Sequence, residues 1–317
     1  MNSSVLIIGY RRYSNIVKLI RSSLEMSTRR VYLALDGLGE IDQVERNSFL
    51  TQIDDLLRDN ESRFICWMRD SNLGPAVSVI TAIDWFFTKE SQGIILEDDL
   101  IISPQTLAYF DEALDFYLAD VKVQLISGSQ FWDFSASHCE TPWSSYPITW
   151  GWATWRERWQ QAREIFFINK YRKLTELKLR EELFWQVGCD RCLCGLQDAW
   201  DILFATYLIS NKKICIFPAV NLISNVGADV FAGNTINRAW PLFMPISQHP
   251  HGETMLTSRE LRQPDCIDTL IRETIYRIRW TNLLTGLFYW VRRILLSTKY
   301  NNRNYLGNRI NTTEIPL

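Results

Sequence analysis

Through the first 131 residues, short continuous apolar runs alternate with stretches of helical periodicity, and this rhythm restricts the fold more than any other feature. The runs are Val5–Tyr10, Val31–Leu35, Arg63–Met68, Gly93–Leu96 and Val123–Ser127. Between them Ile16, Leu19, Ile20 and Leu24 recur at helical spacing. Val44, Phe49, Ile53, Leu56 and Leu57 do the same, as do Val77, Ile80, Ile83 and Phe87. Ser103-Pro104 offers an N-cap with proline at the first helical position, for a helix running towards Asp120. A strand without polar alternation is buried on both faces, as happens when helices cover both sides of a parallel sheet. The pattern predicts an α/β domain with a doubly wound, mostly parallel sheet.

After Phe131 the rhythm breaks. Trp143–Trp159 reads as an aromatic loop, roughly 170–187 as a helix, Asp198–Ile209 as another helix, and Ile214–Phe217 as a short strand. Asn221–Asn237 reads as loop. We divide the chain into 1–131 and 132–240, two halves of one domain, and a helical C-terminal extension, 241–317. In that extension Tyr276–Lys299 carries Arg277, Arg279, Arg292, Arg293 and Lys299 and no acid. Trp280, Leu284, Leu287, Val291, Ile294 and Leu295 recur there at helical spacing. A basic amphipathic helix of this kind suits either peripheral contact with a membrane, through 276–299, or docking on its own domain.

Composition removes several classes. A formal charge of −2 gives no electrostatic footprint for nucleic acid. No run of about 18 apolar residues suggests a membrane span, and the apolar run Val5–Ile8 is too short for a signal peptide. Seven irregularly spaced cysteines fit free thiols in a reducing compartment. Cys189, Cys192 and Cys194 cluster, but with only three histidines in the chain they read as small buried side chains rather than a zinc site. We therefore expect a cytoplasmic protein, with the inner face of the membrane as its other setting.

Open parallel sheets bind ligands beyond the carboxyl ends of their strands. The residues there are Arg11 and Arg12, Asp36, Arg69-Asp70 with Asn72, and Glu97-Asp98-Asp99. The first turn, Gly9 to Ser14, lacks both the three-glycine dinucleotide fingerprint and the glycine-lysine phosphate loop. Its arginines present planar donor forks suited to phosphate. Three consecutive carboxylates repel one another, and a cation relieves that repulsion. Hard divalent ions bind through one or two carboxylates plus phosphate oxygens, so the acidic turn points to Mg²⁺ or Mn²⁺ holding a diphosphate.

Asp36-Gly37, Asn72-Leu73-Gly74-Pro75, Ile94-Ile95-Leu96-Glu97-Asp98-Asp99-Leu100 and Trp150-Gly151-Trp152-Ala153-Thr154-Trp155, taken in order, resemble the GT-A nucleotide-diphosphosugar glycosyltransferases. The resemblance is closest to the N-acetylglucosaminyltransferase I-like group and its bacterial relatives, and covers roughly residues 5–230. It implies a GT-A, Rossmann-like fold. It implies that Asp36 bonds the nucleotide base and that Arg11 or Arg12 approaches the diphosphate or nucleoside. Asp99 is the implied metal ligand, with Glu97 and Asp98 beside it on sugar, ribose or metal-bound water, and Asn72 nearby. An acid next to tryptophan is the implied catalytic base, either Asp201 or Asp198, with Asp201 the better match. Trp150, Gly151, Trp152 and Trp155 are expected as the floor or lid over donor and acceptor. The turn Arg11-Arg12-Tyr13 and the region after Asn225-Val226-Gly227 depart from the family pattern.

The activity implied is inverting, metal-dependent transfer of a sugar, GlcNAc by resemblance, from a UDP-sugar to a glycan or glycolipid acceptor in surface polysaccharide synthesis. Two other classes share parts of the pattern: a sugar nucleotidyltransferase, and a non-catalytic nucleotide-sugar-binding or interaction protein.

Overall fold

The computed structural model describes residues 2–37, 43–131, 141–167, 177–227, 246, 261–262, 267–278, 284, 291 and 305–316. The parallel half follows the sequence rhythm. Strand β1 (Ser4–Gly9) leads to α1 (Tyr13–Glu25), β2 (Val31–Leu35) to α2 (Gln43–Asp59), and β3 (Phe64–Met68) to α3 (Pro75–Lys89). Strand β4 (Gln92–Glu97), the short β5 (Leu100–Ile101), α4 (Pro104–Phe116) and β6 (Val123–Ser127) follow. Strands β1, β2 and β6 are buried along their whole length, as a sheet covered on both faces requires. Helix α4 opens with a reciprocal capping pair. Ser103 Oγ accepts from the Thr106 N–H at 3.3 Å, and Thr106 Oγ1 accepts from the Ser103 N–H at 2.9 Å.

The rest of the chain adds β7 (Thr141–Ser144), β8 (Trp152–Trp155), α5 (Arg156–Arg163), α6 (Leu179–Leu193), α7 (Asp201–Ser210), β9 (Ile214–Ile216), β10 (Ser224–Asn225) and β11 (Leu261–Arg262). The C-terminal region contributes α8 (Ile267–Leu270), a wider-wound turn at Ile271–Ile275, and α9 (Tyr305–Asn311). Among the described residues, nine strands form one sheet in the order β11-β7-β9-β6-β8-β4-β1-β2-β3. Most pairings are parallel; β8 runs antiparallel to both β4 and β6, and β7 is antiparallel to β9. One apolar layer packs α1, α2 and α4 on one face of the sheet, and a second packs α3, α5, α6 and α7 on the other. The expected α/β architecture with a mostly parallel sheet is the one observed.

The aromatic segment expected as loop is corrected. It contains β7, β8 and the start of α5. The strand Trp152–Trp155 is buried at every position, so it shows no polar alternation to announce it. Trp152 is 1% exposed and stacks on Trp200 at 5.8 Å, while Trp159 lies 6.3 Å from both. The Arg158 guanidinium sits 3.3 Å from the Trp155 ring centroid. Burial removes Trp152 and Trp155 from any accessible floor or lid; Trp150 is half-buried, against Phe131 at 5.3 Å.

Helix α6 lies later than the 170–187 stretch suggested, and residues 168–176 are outside the described residues. Helix α7 starts at Asp201 rather than Asp198. The basic segment 276–299 lies largely outside the described residues; among those described, no helix is long and apolar enough to cross a membrane. Cys189 and Cys192 are buried in the core, and the Cys189 thiol donates to Thr206 Oγ1 at 3.1 Å. Burial pushes the Cys189 thiol up to about 12.

Gly151 precedes β8 with φ +68, and a Cβ there would lie 2.0 Å from Ile223 Cδ1. Glycine thus serves both the backbone conformation and the packing of the loop after β9. Gly151→Ala is expected to lower unfolding stability by about 2 kcal/mol in urea titration.

Candidate active site

Register brings the ligand-edge residues together. Ile8 pairs with Glu97 and Gly9 with Leu35, so the turn after β1 lies between the ends of β4 and β2. At about 4.8 Å per strand spacing, the ends of β4 and β2 are roughly 10 Å apart.

Asp98 is 7% exposed and joins the first two of these strand ends. Its Oδ2 accepts from the Tyr10 N–H at 2.8 Å, and its Oδ1 pairs with Arg12 Nη1 at 3.0 Å. From the first turn of α1, Asn15 Nδ2 donates to the Asp98 and Leu100 carbonyls at 2.6 and 3.0 Å. Arg12 also donates from Nη2 to the Gly227 carbonyl at 3.2 Å. The structure thereby separates the two arginines that the sequence leaves equivalent. Arg12 turns towards the acids, whereas the Arg11 guanidinium lies 4.7 Å from the Tyr10 ring centroid.

Glu97 and Asp99 flank Asp98 and remain partly exposed. Asp99 faces the segment after β10. Strand β10 pairs antiparallel with β5, the Val226 N–H donates to the Asp99 carbonyl at 2.8 Å, and a Cβ on Gly227 would lie 2.2 Å from Asp99 Oδ2. Asn225 Oδ1 accepts from the Gly227 N–H at 2.7 Å and closes this turn. Burial and the neighbouring Asp98 charge raise the Asp99 carboxyl to about 6, against the opposing pull of Arg12. Glu97 is raised well above the ordinary range, by burial and then by Asp99, Asp98 and Asp201.

Asp201 is the first residue of α7, in the other half of the chain, and its charge acts on Glu97. Burial raises its carboxyl, while the backbone N–H groups at the start of α7 favour the anion. Asp198, the other candidate, is exposed and bound elsewhere. Its Oδ1 accepts from the Ala76 N–H at 2.9 Å, at the start of α3. The N-cap of α3 is Gly74, φ +76, which supplies no side-chain cap, and a Cβ on it would lie 2.3 Å from Asp198 Oδ2. Asp198 is therefore a cap delivered from a distant part of the chain.

Asp36 is 4% exposed at the end of β2. Its Oδ1 accepts from the Gly37 N–H at 3.0 Å and the Leu73 N–H at 2.9 Å. Burial raises its carboxyl; the backbone N–H groups of Leu73 and Gly37, and then Arg69, oppose that rise. Arg69 lies 4.0 Å from the Trp67 ring centroid and donates to Ser78 and Thr81 of α3. Asn72 is exposed, and its Oδ1 accepts from the Gly74 N–H at 2.8 Å, a local turn.

The structure thus brings Arg12, Glu97, Asp98 and Asp99 together, sets Asp201 where its charge acts on Glu97, places Asp36 on the same sheet edge, and gives Asn72 and Asp198 backbone-holding contacts. Asn225, Gly227 and Asn15 were not singled out as site residues from sequence. The Asn-x-Gly turn at 225–227 was the available signal, since asparagine side chains close such turns.

A hard divalent cation suits the Asp99 carboxylate: the donor is oxygen, it is partly exposed, and Glu97 adds a second carboxylate close by. Among the described residues no group of three or more His, Cys, Asp or Glu side chains could hold an ion by itself. Protein carboxylates would then supply only part of a coordination shell, the mode in which Mg²⁺ and Mn²⁺ use substrate oxygens and water.

No family model matches the chain, and no curated protein matches it. Among solved structures it is similar to the crystal structure of S. aureus TarS 1-349, with 14% identity and a TM-score of 0.44. The match covers 71% of this chain and 61% of that one.

Two outcomes test the site. Asp98→Ala removes the carboxylate partner of Arg12 Nη1 and the acceptor of the Tyr10 N–H, and is expected to lower stability by about 3 kcal/mol in denaturant titration. Asp99 titrates higher folded than unfolded, so the folded state holds the extra proton and stability falls as pH rises from about 4 to about 6. Asp99→Asn should therefore leave the melting temperature near that of the parent at pH 4 and raise it at pH 7.5, by about 2 °C or more in calorimetry.

Proposed function

We propose that this chain is a GT-A-type glycosyltransferase that moves a sugar from a nucleoside-diphosphate donor to a glycan or glycolipid acceptor. The observation that carries the reading is the placement of Glu97 and Asp99 beside the Arg12–Asp98 ion pair at the ligand edge of a mostly parallel sheet, with the Asp201 charge acting on Glu97. Carboxylates brought together with raised proton affinity lower the stability of the fold, and function is the usual reason such a cluster persists. The sequence resemblance to nucleotide-diphosphosugar transferases supports the same reading.

In this reading Asp36 receives the nucleoside at the end of β2, and the diphosphate lies across the turn after β1. The roughly 10 Å between β2 and β4 is a distance that a nucleoside spans. Asp99, with Glu97 beside it, holds Mg²⁺ or Mn²⁺. When bound, such an ion supplies positive charge for the departing diphosphate. Arg12 adds a fixed guanidinium next to the same oxygens. Asp201 accepts the proton of the acceptor hydroxyl as that oxygen bonds to the anomeric carbon and the bond to the diphosphate breaks. Burial raises its carboxyl, which makes the anion a stronger base than an exposed aspartate. One base and one displacement invert the anomeric centre. UDP is the nucleotide and GlcNAc the sugar that the resemblance favours, with surface polysaccharide synthesis at the cytoplasmic face of a membrane as the setting. Trp150 and Gly151, at the entry to β8, are the members of the aromatic motif left for the acceptor side.

A thermal-shift screen of nucleotide sugars with and without Mn²⁺ tests the donor class. A ligand at 100 times its dissociation constant stabilises the native state by about 2.7 kcal/mol. Stabilisation by UDP-sugars only with Mn²⁺, and release of UDP on adding acceptor, is the expected result; pyrophosphate release would make the protein a nucleotidyltransferase. Asp201→Asn should lower kcat by about 10²–10⁴ with donor binding retained. Asp198→Ala should lower stability by about 1 kcal/mol, as loss of a cap does, and leave kcat within a few-fold.

A further inference from the structure

Helix α9 is tied to the loop that holds the Asp36 carboxylate. Helix α9 buries Leu306 and Ile310 in the layer that holds α3 and α6. Its Tyr305 ring occupies the space beside Gly195, where a Cβ would come within 2.3 Å of the ring. The Arg309 guanidinium lies 5.7 Å from the Tyr305 centroid, and its Nη2 donates to the Leu73 carbonyl at 2.6 Å. The Leu73 N–H in turn donates to Asp36 Oδ1 at 2.9 Å. Both backbone groups of Leu73 are thus taken, one by the site carboxylate and the other by a residue 236 positions later in the chain.

We propose that Arg309 is a positioning residue for the donor site: through Leu73, the C-terminal helix fixes the Asp36 carboxylate against the nucleoside. The inference rests on the reading of Asp36 as a donor contact. The loop before α3 is exposed at Ser71 and Asn72, and its hydrogen bonds hold N–H groups, those of Leu73, Gly74 and Ala76, so Arg309 supplies the side-chain restraint on the Leu73 carbonyl. A charge-assisted bond from a guanidinium is among the stronger restraints available to a loop carbonyl. Without it the bond from the Leu73 N–H to Asp36 opens more often, and the fixed orientation of the carboxylate is lost. Glu97, Asp99 and Asp201 stand on other elements, so the chemical step is left intact.

The test uses the full chain with Arg309→Met, which keeps a long stem to pack on Tyr305 and removes the donors. Arg309→Lys restores one donor, and Asp36→Asn serves as the reference for donor binding. Hydrogen exchange at the Leu73 and Gly74 amides, UDP affinity with Mn²⁺ by calorimetry, and steady-state KM and kcat are the readouts. Arg309→Met is expected to speed exchange at those amides while β1 and β4 stay protected. It should weaken UDP binding and raise donor KM by about tenfold, with kcat within about twofold, and Arg309→Lys should recover most of the loss. Unchanged UDP affinity in Arg309→Met alongside weakened affinity in Asp36→Asn overturns the role of Arg309 and leaves the donor reading standing. Unchanged affinity in both overturns the donor reading, and this inference with it. A fall in kcat equal to the rise in KM, or exchange accelerated across the whole sheet, makes Arg309 a general stabiliser and also overturns the proposal.

Discussion

The buried carboxylate of Asp98 joins the two strand ends on which the site is built. One oxygen takes the Tyr10 N–H and the other takes Arg12, so the turn after β1 and the acidic turn after β4 move as one unit. Asn15 holds the same turn from the first turn of α1. With Asp98 paired to Arg12, its two neighbours remain partly exposed and, among the described residues, form no ion pair of their own. This division is set by burial: the middle acid of the triplet is structural, and the outer two are the ones to which we assign the proposed chemistry.

That arrangement lowers the stability of the fold. Glu97 and Asp99 lie close together, the Asp201 charge acts on Glu97 from a distant part of the chain, and each carboxyl has its proton affinity raised, an electrostatic tension of the kind that a cation relieves. Binding to such a site stabilises the native state twice over, by its own contacts and by the repulsion it removes.

The parallel half was legible because its signals are local. Apolar runs give buried strands, periodic residues give α1 to α4, and Ser103-Pro104 gives the cap of α4. The ligand-edge rule then places Asp36 and the acidic triplet without any long-range information. The second half was less legible because its determinants are tertiary. Strand β8 carries tryptophans that are buried on both faces, so composition resembles an aromatic loop. Asp198 and Asp201 are three residues apart and look alike in sequence; only the position of the start of α3 shows that the first is a cap. Likewise Arg11 and Arg12 are distinguished by which one meets Asp98, a contact across 86 positions. The tie between Arg309 and Leu73 spans still more of the chain and leaves no local mark.

The antiparallel strand β8 sits between β4 and β6, with Ala153 opposite both Ile94 and Ile126. Every residue of β1 to β4 and of β6 is made before it. A nascent chain emerging from the ribosome therefore exposes two apolar edges until Trp152–Trp155 arrives to bridge them, and open edges of this kind invite pairing with other chains. For this protein the hazardous interval of biosynthesis is the synthesis of the stretch between β6 and β8, and slowing there lengthens exposure to aggregation or to chaperone capture.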